Sequence, residues 1–261
     1  MIENCAVNTI EYSPGNYIVH TKGEQSILIH SNFLVNASGA WTNRILELLQ
    51  IDPVCKMLPL QLHITEPFLE IKVPYFLQIA NRKLSFKQMQ NGSLIIGGGW
   101  QGIGNPNPFF AENDTVKISK NSLYQNIKNA VDLVPSITNL KLKSIKRSYA
   151  AWTLDGVPIV GQLESCGIYT ALGGNGYTYG PLYGKVLAQL INKENINIDL
   201  TTLNPNRVLK DFPTMGSTVE ESSVNFTDIC NYSIGQLINS TDDAAYNSII
   251  EKDSIHNLPP S

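Results

Sequence analysis

The sequence has little of what marks a metal site, a disulfide framework or a membrane span. Its four cysteines are scattered without a CxxC pair, and its four histidines form no cluster with the spacing of metal ligands. No run of about 18 apolar residues occurs, and the amino-terminal segment lacks a basic stretch followed by an apolar one. We therefore expect reduced thiols, no bound metal, no signal peptide, no integral membrane span and a cytoplasmic location.

The chain also lacks an excess of positive charge. Its 261 residues have a formal net charge of -3 and a pI of about 5.8. A nucleic-acid-binding protein would show a broad basic field, so that class is not predicted. The hydrophobic fraction of 43% and the charged fraction of 16% are ordinary for a globular protein. This length is enough to bury a sizeable core in one large domain or two modest ones.

The first fifty residues predict strands followed by a helix. Four short apolar segments separated by turn residues predict an antiparallel meander, at residues 5–10, 17–20, 26–30 and 33–35. The small residues 36–40 come next. Apolar residues then recur at helical spacing from Trp41 to Leu49, and Pro53 predicts a stop soon after. A strand should thus turn through a small-residue segment into an amphipathic helix.

The middle of the chain predicts further strands and one helix. Residues 58–99 have a strand-like pattern, in which Asn91-Gly92 would form the favoured two-residue hairpin turn. The spacing of Leu123, Ile127 and Val131 predicts a helix that Pro135 ends, and residues 145–151 predict another strand. Such irregular alternation of sheet and helix predicts an α+β protein.

The last part of the chain predicts one more strand and helix, followed by a tail. A strand at residues 167–172 leads through a glycine-rich turn into a helix whose first turn would contain Pro181. Beyond about Met215 the sequence is rich in Ser, Asn, Asp and Glu, with sparse apolar positions. We expect a loosely ordered tail there.

Two glycine-rich segments are candidates for ligand contact. Residues 97–102 formally match GxGxxG, but Asn and Pro residues follow at 105–108 instead of a helix, so a dinucleotide-binding loop is not predicted there. Residues 173–180 do lie between a predicted strand and a predicted helix. Their glycines would let the backbone approach a flat ligand, and N–H groups at the helix N-terminus would stabilise the negative charge of a reduced flavin. A plain tight turn is an equally weighted alternative.

Arg147 is a candidate for binding a carboxylate. If it is buried among the aromatic residues that follow, its planar guanidinium could bind two carboxylate oxygens at once. The more common alternative for an isolated arginine is a surface ion pair. His63 and His256 have no evident Ser or Cys partner in the sequence, so a hydrolase is not predicted.

Taken in order, these segments resemble the FAD-dependent amine and amino-acid oxidoreductases of the D-amino acid oxidase superfamily, which includes glycine oxidase, sarcosine oxidase, D-amino acid dehydrogenase and opine oxidase. The resemblance extends over roughly residues 3 to 212 and rests on FLVNASGAWT (33–42), LHITEP (62–67), KQMQNGSLIIGGGW (87–100) and DGVPIVG (155–161) followed by residues 167–181. The last of these matches is the most specific.

The resemblance implies an α+β fold with an antiparallel or mixed-sheet substrate domain and the C-terminal part of an FAD-binding domain. The N-terminal Rossmann βαβ unit of the family is expected to be missing. On this basis residues 1–50 and 151–214 belong to the FAD-binding domain, residues 51–150 form the substrate-binding domain, and residues 215–261 form the loosely ordered tail.

The resemblance also implies FAD as the cofactor. It places Val7 at the adenine and three residues near the cofactor, Gly39, Ala40 and Trp41. It further implies that one loop lines the flavin, comprising Gly173, Gly174, Asn175, Gly176, Tyr177 and Thr178. The candidates for the substrate side are Arg147, Tyr149 and Trp152, with Arg147 holding the carboxylate of an amino acid. A second arginine that the family often has nearby finds no counterpart here.

The activity implied is oxidation of the C–N bond of an amine or amino acid, with hydride transfer to flavin N5 and an imine as product. No segment before Val7 can supply the pyrophosphate site. We therefore expect either a fragment of such an enzyme or a chain completed by a separate nucleotide-binding subunit. The alternative is a non-catalytic remnant or interaction subunit that keeps the substrate-domain fold without binding flavin.

Overall fold

The computed structural model describes residues 1–70, 72–105, 107, 109–110, 116–153, 155–164, 166–173, 176–209 and 223–239. The chain divides into two compact units. The first comprises Met1–Leu58, Gly104–Thr115 and Tyr149–Ser217, and the second comprises Pro59–Ile103, Val116–Ser148 and Thr218–Ser261. Within the described residues, several antiparallel sheets and five α-helices give a mixed α+β fold, as the sequence predicts.

The first unit begins with a three-stranded antiparallel sheet. It contains β1 (Cys5–Ser13), β2 (Asn16–Gly23) and β3 (Leu28–Ser31), in that order. Ile10, Tyr17 and Val19 bury one side of this sheet. The predicted meander is therefore confirmed for its first three segments.

The fourth predicted segment joins a different sheet. β4 (Val35–Asn36) pairs in parallel with β12 (Tyr169–Leu172), which pairs in turn with β11 (Ile159–Gln162). The prediction that this segment continues the antiparallel meander is wrong. Apolar alternation identifies a strand but not its partner, and here the backbone N–H of Tyr169 donates to the carbonyl of Leu34 at 2.9 Å.

Helices cover both faces of this second sheet. α3 (Gly176–Ile191) packs against a cluster that includes Val160, whereas α1 (Thr42–Glu47) packs Leu46 into a cluster that includes Ile159. Successive residues of a strand point to opposite faces, so these two helices lie on opposite sides of the sheet. The predicted transition from strand to helix through residues 36–40 is confirmed.

The position of Pro181 differs from the prediction. It lies at the sixth residue of α3 instead of in the first turn, because the helix already begins at Gly176. Proline has no N–H to donate to the preceding turn. For this reason the sequence predicts Pro181 in the first turn, where that N–H would have no partner within the helix.

The second unit is built on a five-stranded sheet of order β10-β5-β8-β7-β6. Its strands are β5 (Lys56–Pro67), β6 (Leu77–Ile79), β7 (Leu84–Gln88), β8 (Ser93–Gly97) and β10 (Leu142–Trp152). β5 and β10 each continue at one end into the first unit. The predicted strands of the middle region are thus present.

α2 (Lys120–Leu133) packs Leu123 and Ile127 against the core of the second unit. Both side chains are fully buried, and a 3-10 helix begins at Pro135, so the predicted helix and its end are confirmed.

The turn between β7 and β8 is one residue longer than predicted. The N–H of Met89 donates to the carbonyl of Ser93 at 2.8 Å, which leaves the three residues 90–92 in the loop. Gly92 alone among them has a positive φ, +84°. This is the pattern of a three-residue hairpin loop that ends with a left-handed glycine, in place of a two-residue Asn-Gly turn.

The GxGxxG sequence at residues 97–102 has a packing role. Gly98 has a φ of +125°, and a Cβ on it would lie 2.5 Å from the backbone N of Leu84. β8 ends at Gly97, and the next helix in the described part of the chain is α2, which begins at Lys120. As predicted, no helix follows this segment at once, and close backbone approach explains its glycine content.

Part of the expected tail is folded. β13 (Ser223–Val224) pairs with β9 (Ile118–Ser119), and two short helices follow, α4 (Phe226–Ile229) and α5 (Ile234–Asn239). Ile229, Ile234 and Leu237 are buried in the core of the second unit. Residues 223–239 therefore contradict the expectation of a loosely ordered tail, because a few well-spaced apolar side chains suffice to anchor them. Residues 210–222 and 240–261 lie outside the described part of the chain.

Within the described residues, no helix is long and apolar enough to cross a membrane. The same residues contain no group of three or more His, Cys, Asp or Glu side chains that could hold a metal ion. Cys5, Cys55 and Cys230 are free thiols.

A buried polar network organises the second unit. His63 is fully buried, and its Nδ1 lies 2.9 Å from Oδ1 of Asn126 while its Nε2 lies 3.3 Å from Nε2 of Gln61. These partners fix the tautomer, since Nδ1–H must donate to the Asn126 oxygen and Nε2 must accept from the Gln61 amide. Gln61 in turn exchanges hydrogen bonds with the backbone of Ser119, and Asn126 donates to the carbonyl of Gly97 at 2.8 Å.

This network predicts that stability depends on pH. Burial lowers the pKa of His63 from 6.5 to about 4, against a small raising effect of Asn126. The folded state accommodates His63 best in its neutral form. The contribution of neutral His63 to stability is therefore complete above about pH 6.5 and is lost as the pH falls toward about 4. In urea denaturation, the natural chain should lose about 2 kcal/mol more stability between pH 7 and pH 5 than His63→Gln. An equal loss in His63→Gln would contradict the assignment.

The packing of the C-terminal helices gives a second prediction. Ile234→Ala should destabilise the protein by about 2–5 kcal/mol, because Ile234 is fully buried and its truncation leaves a cavity. The half-exposed Tyr232 provides the control, and Tyr232→Ala should cost clearly less in the same denaturation experiment. Similar losses in both variants would show that this segment does not contribute to the core.

Candidate functional site

Two segments predicted to contact a cofactor meet at one end of a sheet. β4 and β12 run parallel, so their carboxyl ends lie on the same side of the sheet. β4 leads to the 3-10 helix Gly39–Trp41, and β12 leads through Gly173 into α3. The 3-10 helix also contacts β12. In open α/β sheets, ligands bind outside the carboxyl ends of parallel strands.

Asn36 holds the first segment in place. Its side chain is 2% exposed, and Nδ2 donates to the carbonyl of Thr42 at 3.1 Å. Its Oδ1 accepts from the N–H of Ser38 at 3.3 Å and from the hydroxyl of Ser38 at 2.5 Å. The hydroxyl of Thr170 donates to the Asn36 carbonyl at 3.2 Å, which ties the segment to β12.

Sequence analysis did not single out Asn36 as a site residue. The signal available was a polar residue at the end of an apolar strand, directly before the small-residue segment.

Gly39 and Ala40 differ in what surrounds them. Gly39 has a φ of +59°, and a Cβ on it would meet nothing within 4 Å. Ala40 is buried, and Trp41 is partly buried. The space beside Gly39 is therefore open to a ligand, whereas Ala40 supports the segment from the interior.

Gly173 begins the second segment. Its φ is +135°, and a Cβ on it would lie 2.7 Å from Cα of Pro158. Only glycine fits such close contact with backbone at this φ. Gly174 and Asn175, which were also predicted to line the flavin, lie outside the described residues.

The first turn of α3 is exposed. Gly176, Tyr177 and Thr178 all face solvent, and a Cβ on Gly176 would meet nothing within 4 Å. The N–H groups of a first helical turn have no partner within the helix, and the helix dipole favours negative charge there. This end of the sheet can therefore accept a flat ligand that bears partial negative charge.

Val7 is placed elsewhere. It lies on β1 in the separate three-stranded sheet, opposite Thr21 and next to an irregularity in register, and its side chain is 37% exposed. The pairing of β4 with β12 thus brings together the two glycine segments but not Val7. Its predicted contact with adenine stays a prediction.

Arg147 is exposed, contrary to the possibility of a buried arginine among aromatic side chains. It belongs to the second unit, where Nη1 donates to the carbonyl of Val116 at 3.2 Å. None of the described ion pairs involves it, so the alternative of a surface ion pair is not observed in the described chain either. An arginine in a sequence rich in small and aromatic residues does not by itself indicate burial.

Tyr149 and Trp152 belong to the first unit. Tyr149 is 8% exposed, and its hydroxyl accepts from the N–H of Asn105 at 3.1 Å. Trp152 is 46% exposed. Because side chains alternate along β10, Tyr149 and Trp152 point to opposite faces of the strand. β10 therefore does not place Tyr149 and Trp152 on one face, and the substrate role of Arg147, Tyr149 and Trp152 stays a prediction.

The sequence matches the profile of a family described as FAD dependent oxidoreductase, over residues 1–190. No curated protein matches the sequence.

Several solved structures are similar in fold. Glycine oxidase from Geobacillus kaustophilus has a TM-score of 0.63 at 19% identity, over 80% of this chain and 53% of that protein. L-proline dehydrogenase from P. horikoshii has a TM-score of 0.63 at 22% identity, over 79% of this chain and 54% of that protein. L-amino acid deaminase from Proteus vulgaris has a TM-score of 0.61 at 15% identity, over 78% of this chain and 57% of that protein. The chain thus spans about half the length of these proteins.

Gly173 and Gly176, which flank residues 174 and 175, should respond differently to substitution. Gly173→Ala should cost about 1–3 kcal/mol, because it combines an unfavourable φ with a clash against Pro158. Gly176→Ala should change stability by less than about 0.5 kcal/mol, because its Cβ has open space. Urea denaturation of the two variants checks this, and equal stability would contradict the close contact at Gly173.

Proposed function

Because the chain belongs to the FAD-dependent oxidoreductase family, we propose that it forms the flavin-binding and substrate-binding part of an enzyme that oxidises the C–N bond of an amine or amino acid. One observation supports this most directly. The parallel pairing of β4 and β12 places Gly39 and Gly176, both with open space beside them, at the same end of the sheet.

The residues at this end fit the isoalloxazine part of FAD. We propose that it is lined by Gly173, Gly174, Asn175, Gly176, Tyr177 and Thr178, and that Gly39, Ala40 and Trp41 lie near the cofactor. Glycine backbone allows close approach to a flat ring, and the N-terminus of the sixteen-residue helix α3 stabilises negative charge on the reduced flavin. We retain the proposal that Val7 touches the adenine.

We also retain the predicted division of labour between domains. Residues 1–50 and 151–214 would bind FAD, and residues 51–150 would bind substrate. The segment between β12 and α3 is assigned to the isoalloxazine in this proposal, and residues 97–102, which match GxGxxG, are not followed at once by a helix, so a pyrophosphate site is still required. We propose that a nucleotide-binding unit supplies it, either on a separate subunit or on a further part of the same protein.

The substrate would be oriented by the predicted residues Arg147, Tyr149 and Trp152. The bond of Arg147 to Val116 engages one donor, so within the described chain its guanidinium retains donors for two carboxylate oxygens. When bound, FAD would accept the hydride at N5, leaving an imine that water hydrolyses. The protein would supply orientation and exclude water from the reacting carbon.

Absorption spectroscopy of the purified chain tests the proposal. After incubation with FAD and gel filtration, visible flavin bands that co-elute with the protein are the expected result. A protein that remains colourless would contradict flavin binding by this chain alone. That result would favour the alternative of a non-catalytic or interaction subunit.

A pair of variants tests the location of the flavin. Gly176→Val should abolish FAD binding, because its side chain would fill the open space at the start of α3. Gly184→Val provides the matched control, since Gly184 lies two turns further along the same helix with equally open space, and it should bind FAD like the natural chain. Fluorescence titration with FAD measures both, and unchanged binding in Gly176→Val would refute this placement.

A further inference from the structure

Arg207 makes an unusually large number of hydrogen bonds for a residue near the surface. Its Nε and Nη2 donate to the two carboxylate oxygens of Asp155, at 2.9 and 3.2 Å. Nη2 also donates to the carbonyls of Val157 at 2.7 Å and Pro158 at 3.2 Å, and Nη1 donates to the carbonyl of Asn204 at 3.0 Å. The guanidinium thus binds the carboxylate and two carbonyls of a single turn.

That turn comprises residues 155–158. Asp155 Oδ1 also accepts from the N–H of Val157 at 3.0 Å, which closes the turn locally. Burial acts to raise the pKa of Asp155, but hydrogen bonds from Arg207 and Val157 and the charge of Arg207 outweigh it, so the pKa lies below its ordinary value. The carboxylate is therefore charged at neutral pH and available to the guanidinium fork.

The turn supports the start of the proposed flavin segment. Pro158, whose carbonyl Arg207 binds, is the residue against which Gly173 packs, with 2.7 Å between Pro158 Cα and an added Cβ. The next residue, Ile159, pairs with Leu172 across β11 and β12. A displacement of Pro158 would thus shift Gly173, both through their direct contact and through the pairing of Ile159 with Leu172.

Residues 204–207, the segment that contains Arg207, are themselves held against β11. The side-chain amide of Asn206 donates to the carbonyl of Gln162 at 3.1 Å and its oxygen accepts from the N–H of Glu164 at 3.1 Å. Pro205 lies beside Gly161, where an added Cβ would be 2.9 Å from the proline ring. Residues 204–207 follow the part of the chain that matches the family profile, which ends at residue 190.

We propose that Arg207 is a positioning residue, which sets the place of Gly173 and thereby the affinity of the chain for flavin. This inference rests on the proposed function. An isolated exposed ion pair contributes little, but a fork that binds a carboxylate and two carbonyls together restricts the turn in a way that a point charge does not. The role therefore depends on the shape of the guanidinium and not only on its charge.

Hydrogen exchange of the natural chain and of Arg207→Lys tests the positioning itself. Lysine keeps the charge but loses the fork, so amides of residues 169–173 should exchange about tenfold faster, with little change in the second unit. Arg44→Lys is the control, because Arg44 pairs with Glu47 at 3.1 Å in the same unit and none of its described hydrogen bonds goes to residues 155–158. Unchanged exchange at residues 169–173, or an equal increase throughout the protein, would overturn the proposal.

Titration with FAD tests the link to the cofactor in the same three proteins. Arg207→Lys should bind FAD about tenfold more weakly, whereas Arg44→Lys should bind like the natural chain. Faster exchange with unchanged affinity would overturn the role of Arg207 toward flavin. If the natural chain binds no FAD, the proposed function fails for this chain, while the exchange experiment still decides whether Arg207 positions Gly173.

Discussion

The parallel pairing of β4 with β12 is the contact on which the candidate site depends. It joins Asn36 to Thr170 across 134 residues of sequence, although β4 contains only two residues. A parallel pair cannot be closed by a tight turn, so it forms only when the intervening chain is folded. Because both strands end on the same side, this pairing brings the two glycine segments to one end of the sheet.

Buried polar side chains fix the relative positions of neighbouring strands, helices and loops, which apolar packing alone does not determine. Asn36 ties a strand end to a helix, and His63 with Asn126 ties a sheet to α2. Asn43 similarly donates to the carbonyls of Cys55 and Phe109 at 2.7 and 3.0 Å, and accepts from the N–H of Val54 at 3.1 Å. A buried polar group without a partner is costly, so each of these side chains selects one arrangement of its neighbours.

The differences between prediction and structure have a common cause. Periodicity identified the strands of the meander and the helix of Leu123 and Ile127, because burial on one face imposes a regular spacing. It did not identify the partner of β4, the exposure of Arg147 or the folded segment around Ile234. Each of these depends on residues distant in sequence, about which local spacing carries no information.

The sequence by itself determined the family, the cofactor class and most of the secondary structure, because motifs, glycine positions and apolar periodicity are local properties. Only the tertiary structure decided that Gly39 and Gly176 share one end of a sheet, that Gly173 packs on Pro158, and that Arg207 holds the turn beneath it. The physical reason is that hydrogen bonds and close contacts join particular atoms of residues distant in sequence, whose proximity is fixed only by the folded chain.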